Sequence, residues 1–189
     1  MENHYPSEEI TALEAEIQEK KKRLAELIRN APDEKVTDYT FEGIDGSIRL
    51  SELFGGNGEL LLIHNMGKSC PYCTLWADGF NGVRHHLENR VPFAVISPDP
   101  PPVQREFAES RNWKFKMYSC GNNSFAADLK FKGDNGYYPG FSTFRKDRNG
   151  EIFRTGFRYF GPGDDFCSAW HLFDILAKGT NNWTPKFSY

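Results

Sequence analysis

The chain has 189 residues, 23 Lys and Arg against 26 Asp and Glu, and four cysteines, a length that suits one domain with room for one extra element. The near-balanced charge, with no basic block interleaved with aromatics, argues against nucleic acid as a partner. The start MENHYPSEEITALEAEI lacks a basic segment followed by an apolar one, and no run of about 18 apolar residues occurs, so a soluble, cytoplasmic protein is expected, in which a close cysteine pair points to redox or metal chemistry rather than to a disulfide scaffold.

Residues 7–30 predict one helix: Ile10, Leu13, Ile17, Leu24 and Leu27 recur near heptad spacing and Ser7 is placed to cap the start. Lys20 alone interrupts the stripe, and the helix either packs on its own domain or pairs with a partner's helix. From Tyr39 onward short apolar or alternating runs take over. YTFEGIDGSIRL predicts two strands around an Asp45-Gly46 turn, and ELLLIHN, apolar throughout but too short for a helix, predicts a buried parallel strand. PYCTLWADGFNGVRHHLENR follows as a helix weakened or bent near Gly79 and Gly82. PFAVIS reads as the next buried strand, VQREFAESRNW as a helix entered through the prolines at 100–102, and KFKMYS as a further strand. A hairpin flanking Asp147–Gly150 is expected on the sheet edge, then a helix over DFCSAWHLFDILAKG capped by Asp164 and closed by Gly179. The tail TNNWTPKFSY carries no periodic signal. The expected division is 1–33 as an amphipathic helix, 34–180 as one domain and 181–189 as a tail. Strand, helix, strand, helix, antiparallel hairpin, helix is the order of a thioredoxin-type α/β domain.

Cys70-Pro71-Tyr72-Cys73 falls between a buried strand and a helix. Unpaired N–H groups and the positive end of the helix dipole favour a thiolate there, so the Cys70 pKa should fall, with Lys68 a nearby positive charge. Cys73, three residues on, shares the first helical turn at a separation that a disulfide can span. Pro71 suits that turn because its missing N–H would have no helical partner. Cys70 is assigned attack on a disulfide and Cys73 resolution.

CPYC in this position resembles the thioredoxin superfamily and carries the glutaredoxin dipeptide. Together DYTFEGIDGSIRLSELF, CPYCTLWADGFNG, YYPGFSTF and the N-terminal helix resemble a bacterial family, domain of unknown function 899, of predicted dithiol-disulfide oxidoreductases. The resemblance implies a thioredoxin-like fold in its peroxiredoxin-like variant, with an extra N-terminal β-hairpin and a long N-terminal helix. It implies Cys70 and Cys73 as the catalytic pair, with Pro71, Tyr72, Tyr138 and Pro139 beside the substrate, and a cis Tyr138–Pro139 bond. Neither a cofactor nor a metal is expected. The implied partner is a disulfide-containing protein or a low-molecular-weight thiol, with no nucleic acid, no membrane and a homodimer through the first helix as a possibility. Thioredoxins carry a buried acid six residues before the first cysteine; here His64 stands there and is a candidate to take the Cys73 proton, or simply a core histidine. Ser69 replaces the tryptophan that commonly precedes the first thioredoxin cysteine. The Pro and Thr that peroxiredoxins place seven and three residues before their reactive cysteine are missing, since Ile63 and Gly67 precede Cys70 and Met66 and Cys70 precede Cys73.

Against this stand a structural zinc, disfavoured because only one CxxC exists while Cys120 and Cys167 are isolated, and an iron–sulfur cluster shared between two chains. Cys120 and Cys167 read as buried apolar residues. Tyr72, Tyr137, Tyr138 and Tyr159 either line a groove or cover the surface. The alternative in another class is a non-catalytic thioredoxin-fold binding module that assembles through its first helix.

Overall fold

Helix α1 spans Glu8–Arg29 in the computed structural model, which describes residues 7–189; the first six residues of the expected 1–33 unit lie outside them. Ser7 Oγ accepts the Ile10 N–H at 3.3 Å, and Glu8 and Glu9 in the first turn and Arg29 in the last complement the helix dipole. None of the helix residues is buried. Its ties to the body are few, among them the Lys21–Asp165 ion pair at 2.7 Å and Ile28, whose Cγ2 would lie 2.9 Å from a Cβ on Gly156.

The body begins with β1 (Glu34–Val36), β2 (Thr40–Gly43), β3 (Gly46–Arg49) and a single helical turn α2 (Leu50–Leu53). The β2–β3 turn sits one residue earlier than expected: Gly43 pairs with Gly46 around Ile44-Asp45, and Gly46 takes the positive φ. β4 (Glu59–His64), α3 (Pro71–Arg90), β5 (Phe93–Ser97), α4 (Pro101–Ser110) and β6 (Lys116–Ser119) follow. The strands β4, β5 and β6 pair in parallel. α3 is one continuous helix through Gly79 and Gly82, at neither of which a Cβ would meet a neighbour. α4 starts two residues before the expected boundary, since Pro101 and Pro102 lie in the first turn, where no N–H is missed.

A short α5 (Phe125–Asp128) and a two-stranded ribbon, β7 (Lys132–Gly133) with β8 (Gly136–Tyr137), occupy the connection read as polar. The hairpin β9 (Gly140–Lys146) and β10 (Ile152–Tyr159) closes the sheet against β4. The sheet order is β1-β10-β9-β4-β5-β6-β2-β3, so β1 rather than the hairpin forms that edge, and the β2–β3 hairpin forms the other. The last helix, α6 (Ser168–Asp174), is half the expected length, with Cys167 at its N-cap. Asp164 does not cap it; the carboxylate instead accepts the N–H groups of Gly161 and Phe166, holding a turn before the helix. The tail lies against the body through Trp183 on Trp170 and Phe187 on Phe107.

β4 is apolar from Leu60 to Ile63 because both faces of the sheet are covered. Leu60 and Leu62 join one cluster with Phe41, Phe54, Phe125, Phe131 and Phe144, while Ile63 joins the other with Trp76, Val95, Phe93 and Trp170. Residues of α3, α4 and α6 belong to this second cluster, so these helices share one face of the sheet. Each fully buried Phe or Leu contributes about 1.5–3 kcal/mol relative to exposure. The result is a thioredoxin-like fold with an added N-terminal hairpin and a long first helix. Among the described residues, no helix is long and apolar enough to cross a membrane.

Candidate active site: a dithiol at a helix start

The end of β4 delivers the chain into a tight turn. Asn65 N–H donates to Ile96 C=O at 2.8 Å, and Asn65 Oδ1 accepts the Gly67 N–H at 2.8 Å. Asp99, just past β5, accepts the Lys68 N–H at 2.7 Å. Gly67 has φ +105°, and a Cβ there would lie 2.9 Å from the Asp99 carboxylate, so conformation and space both demand glycine. Asn65 and Asp99 were not singled out from sequence; the Asn-x-Gly spacing is a turn signal that pointed to the first, whereas nothing in the sequence links Asp99 to a loop 31 residues earlier. Lys68 is exposed, and its backbone N–H, not its ammonium, is what engages this turn.

Cys70 is the N-cap of α3 and Pro71 its first residue. The Cys73 N–H donates to Cys70 Sγ at 3.0 Å, and Thr74 Oγ1 donates to the Cys70 carbonyl at 3.1 Å. Both thiols are free, Cys70 being 8% exposed and Cys73 3%. The Cys70 pKa is lowered to about 7. The first cause is the Cys73 thiol donating to Cys70 Sγ; the Cys73 and Tyr72 N–H groups reinforce it, and burial opposes it. Cys73 is pushed strongly up, first by its bond to Cys70, then by burial and by the charge of the Cys70 thiolate. The backbone of Met66 acts in the other direction on Cys73. The site thus splits two equivalent thiols into a thiolate and a protonated donor.

His64 lies on the other side of the sheet from α3. It stacks on Phe131 with ring centroids 3.5 Å apart, and its Nε2 shares a 2.9 Å hydrogen bond with Ser142 Oγ. Burial first, and Arg154 second, lower its pKa to about 3. The ring is neutral at pH 7 and far too weak a base to deprotonate a thiol.

Pro139 lies one residue beyond the His64–Gly140 pair, at the sheet end that carries the Asn65–Ser69 turn. The Tyr138–Pro139 bond is trans, correcting the expected cis form. The chain enters β9 extended because Tyr138 N–H donates to Phe131 C=O and Pro139 C=O accepts from Phe160 N–H, each at 2.9 Å. Gly140 is required at this entry, for a Cβ would fall 2.2 Å from the Arg158 carbonyl. Phe160 packs on Trp76 at 5.2 Å, and Tyr72 lies 6.2 Å from Trp76 and 6.1 Å from Trp170. Tyr72, Trp76 and Phe160 thus form one aromatic chain, from the residue between the two cysteines to Phe160, whose N–H bonds Pro139 C=O. The other tyrosines sit elsewhere: Tyr138 lies 6.2 Å from Tyr159, and Tyr159 Oη donates to the Lys130 carbonyl. Cys120 and Cys167 are buried with raised pKa values, each chiefly through burial. Among the described residues, no three His, Cys, Asp or Glu side chains cluster as a metal site requires.

Solved structures of similar fold include the peroxidoxin BcpB from Mycobacterium tuberculosis, 26% identical with a TM-score of 0.52 over 64% of this chain and 80% of that one. Reduced Prx3 in complex with H2O2 from Vibrio vulnificus is 19% identical, with a TM-score of 0.54 over 71% of this chain and 90% of its own. A peroxiredoxin-like protein from Aquifex aeolicus is 16% identical, with a TM-score of 0.53 over 67% and 74%. Comparison with curated proteins gives no match. Residues 3–188 match the family described as "Bacterial protein of unknown function (DUF899)", and the chain belongs to that family.

Proposed function

We propose that the protein is a dithiol-disulfide oxidoreductase in which Cys70 attacks and Cys73 resolves. The observation that carries this is the Cys73 N–H donated to Cys70 Sγ at 3.0 Å at the start of α3, in a site where the Cys70 pKa falls to about 7. About half of Cys70 is then thiolate at neutral pH, against a few per cent for an ordinary cysteine.

The Cys70 thiolate attacks one sulfur of a substrate disulfide, forming a mixed disulfide and expelling the other sulfur as a thiolate that takes a proton from water. Formation of that bond removes the negative charge and the acceptor that hold the proton on Cys73, so two of the causes of its high pKa vanish. Cys73 gives its proton to water and attacks Cys70 Sγ, breaking the mixed disulfide, forming the Cys70–Cys73 disulfide and releasing the second substrate sulfur as a thiolate. The substrate gains two electrons and the protein loses two, and an external thiol donor restores the dithiol. Pro71 and Tyr72 border the attacked sulfur, and Tyr138 and Pro139, whose N–H and C=O are held by Phe131 and Phe160, are the substrate-side residues at the entrance of β9.

The likeness to the peroxidoxin of M. tuberculosis supports thiol chemistry on this fold. A disulfide is favoured over a peroxide as substrate because Ile63 and Gly67 occupy the positions where peroxiredoxins place Pro and Thr.

The test is Cys73→Ser expressed in the host and resolved by non-reducing electrophoresis and mass spectrometry. Proteins or a small thiol trapped on Cys70 are the expected result, and their identity distinguishes a protein reductase from glutathione chemistry. An unreactive Cys70 with nothing trapped would leave a binding module as the better reading.

A further inference from the structure

We propose that α1 is the pairing helix of an antiparallel homodimer, in which the first helices of two copies lie along one another over their whole length. The inference does not depend on the redox reading.

The helix has an apolar stripe left half-exposed among the described residues: Ile10, Leu13, Ile17, Leu24 and Leu27 are 42–55% exposed. In heptad terms Ile10, Ile17 and Leu24 fall at position a, and Leu13, Lys20 and Leu27 at d. Lys21 and Ile28, both at e, are among the residues that touch the body, through Asp165 and Gly156. The chain therefore uses one flank of the stripe and leaves the seam and the opposite flank, Glu9, Glu16 and Arg23 at g, to solvent.

Charge selects the occupant and its direction. The N-terminal half carries Glu8, Glu9, Glu14 and Glu16, and the C-terminal half Lys20, Lys21, Lys22, Arg23 and Arg29 against Glu19 and Glu26, so that it is basic on balance. A parallel pair would stack Lys20 on Lys20 in one layer of the seam and place Glu9 against Glu14, both repulsive, while its one attraction, Glu16 against Lys21, competes with the Lys21–Asp165 pair. Reversing one helix aligns acidic half with basic half. Ile10 then faces Leu27, Leu13 faces Leu24 and Ile17 faces Lys20, twice each by the two-fold axis. On the free flank each Glu16 meets the other copy's Arg23. The sequence of the helix is thus complementary to itself reversed, which is what a closed two-fold interface requires.

Three heptads are near the lower limit for a stable seam, and the fold supplies more apolar surface next to it. Asp165 binds both Lys21 of α1 and His171 of α6, at 2.7 and 3.3 Å, which brings α6 alongside the middle of α1. Leu172, Ile175 and Leu176 there are 57–82% exposed. They widen the surface that the second copy covers.

Sedimentation equilibrium on the reduced full-length chain, from low micromolar concentration upward, tests the proposal. A species of twice the 21.7 kDa chain mass is expected, with Leu24→Glu monomeric at every concentration and unchanged in helical circular dichroism and Cys70 reactivity. Glu16→Lys should weaken the dimer about tenfold, and adding Arg23→Glu should restore it, because only the antiparallel pair sets position 16 against position 23. A wild-type chain that stays monomeric overturns the proposal, as does a dimer indifferent to Leu24→Glu. A double variant as weak as Glu16→Lys alone overturns the antiparallel pairing.

Discussion

Cys70 and Cys73 begin as the same side chain, and everything that separates them comes from position. Cys70, at the N-cap, receives the second thiol and two backbone N–H groups; Cys73, one turn in, is deeper and faces the charge that its neighbour carries. The leading cause of the low Cys70 pKa is the Cys73 thiol rather than the helix start alone, and this can be separated experimentally. In Cys73→Ala the thiol donor is lost and the Cys70 pKa, read from thiolate absorbance against pH, should rise from about 7 toward the 8.5 of a free cysteine. In Cys73→Ser a hydroxyl still donates, and the value should stay nearer 7. Equal values in the two variants would assign the effect to the backbone instead. His64 makes a second residue-scale prediction. Its folded-state pKa is depressed to about 3, chiefly by burial, while an unfolded histidine protonates near 6.5. The native state is favoured in full above pH 6.5, and that contribution is lost as pH falls from there toward 3, at up to about 1.4 kcal/mol per pH unit. Urea unfolding of wild type and His64→Gln between pH 7 and pH 4 should show the shallower loss in the variant; parallel slopes would mean the ring is not held neutral.

At the scale of elements, sequence and structure agree where one strong local cause acts. Pro71 at the first position and the long run to Arg90 placed α3, and Ser7 with the heptad stripe placed α1. The strand β4 was legible because burial on both faces makes it uniformly apolar. Elements decided by tertiary partners were not. β1 has three residues and no pattern of its own; it exists because Arg154, buried in the neighbouring strand, reaches it. The Arg154 guanidinium binds Glu34 through Nε at 2.9 Å and through Nη2, and donates from Nη1 to the Leu129 carbonyl at 2.8 Å. Arg154→Met should cost about 2–4 kcal/mol in urea unfolding, since a buried carbonyl and a carboxylate lose their donor, and should release β1 to hydrogen exchange. A loss below about 0.5 kcal/mol would show that β1 docks without it. The shortening of α6 has the same origin: Asp164, read as a cap, is drawn into the turn before it and to Trp76 Nε1 at 3.3 Å. Likewise the cis bond inferred before Pro139 gave way to a trans entry whose flanking backbone groups are both bonded into neighbouring segments.

Across the whole molecule, the order of strands explains why the site lies where it does. β4 and β5 run parallel and end together, so the Asn65–Ser69 turn and Asp99 meet; β9 runs against β4, so its first residues and Pro139 arrive at the same end. The thiols therefore sit at the carboxyl end of the parallel strands, where open α/β sheets leave a crevice. The residues that carry chemistry could be read in sequence because CPYC is local. Those that hold them, Asp99 and the partners of Pro139, are distant in sequence and became visible only once the sheet brought them together. Dithiol-disulfide exchange requires that Cys70 and Cys73 form and break one disulfide as a reversible two-electron couple. Equilibration of the reduced protein in glutathione and dithiothreitol buffers, with the oxidised fraction mapped by alkylation and mass spectrometry, measures this directly. The prediction is a Cys70–Cys73 bond with a midpoint between about −120 and −300 mV; a protein that forms no such bond at any poise, or that oxidises only through Cys120 or Cys167, would contradict it.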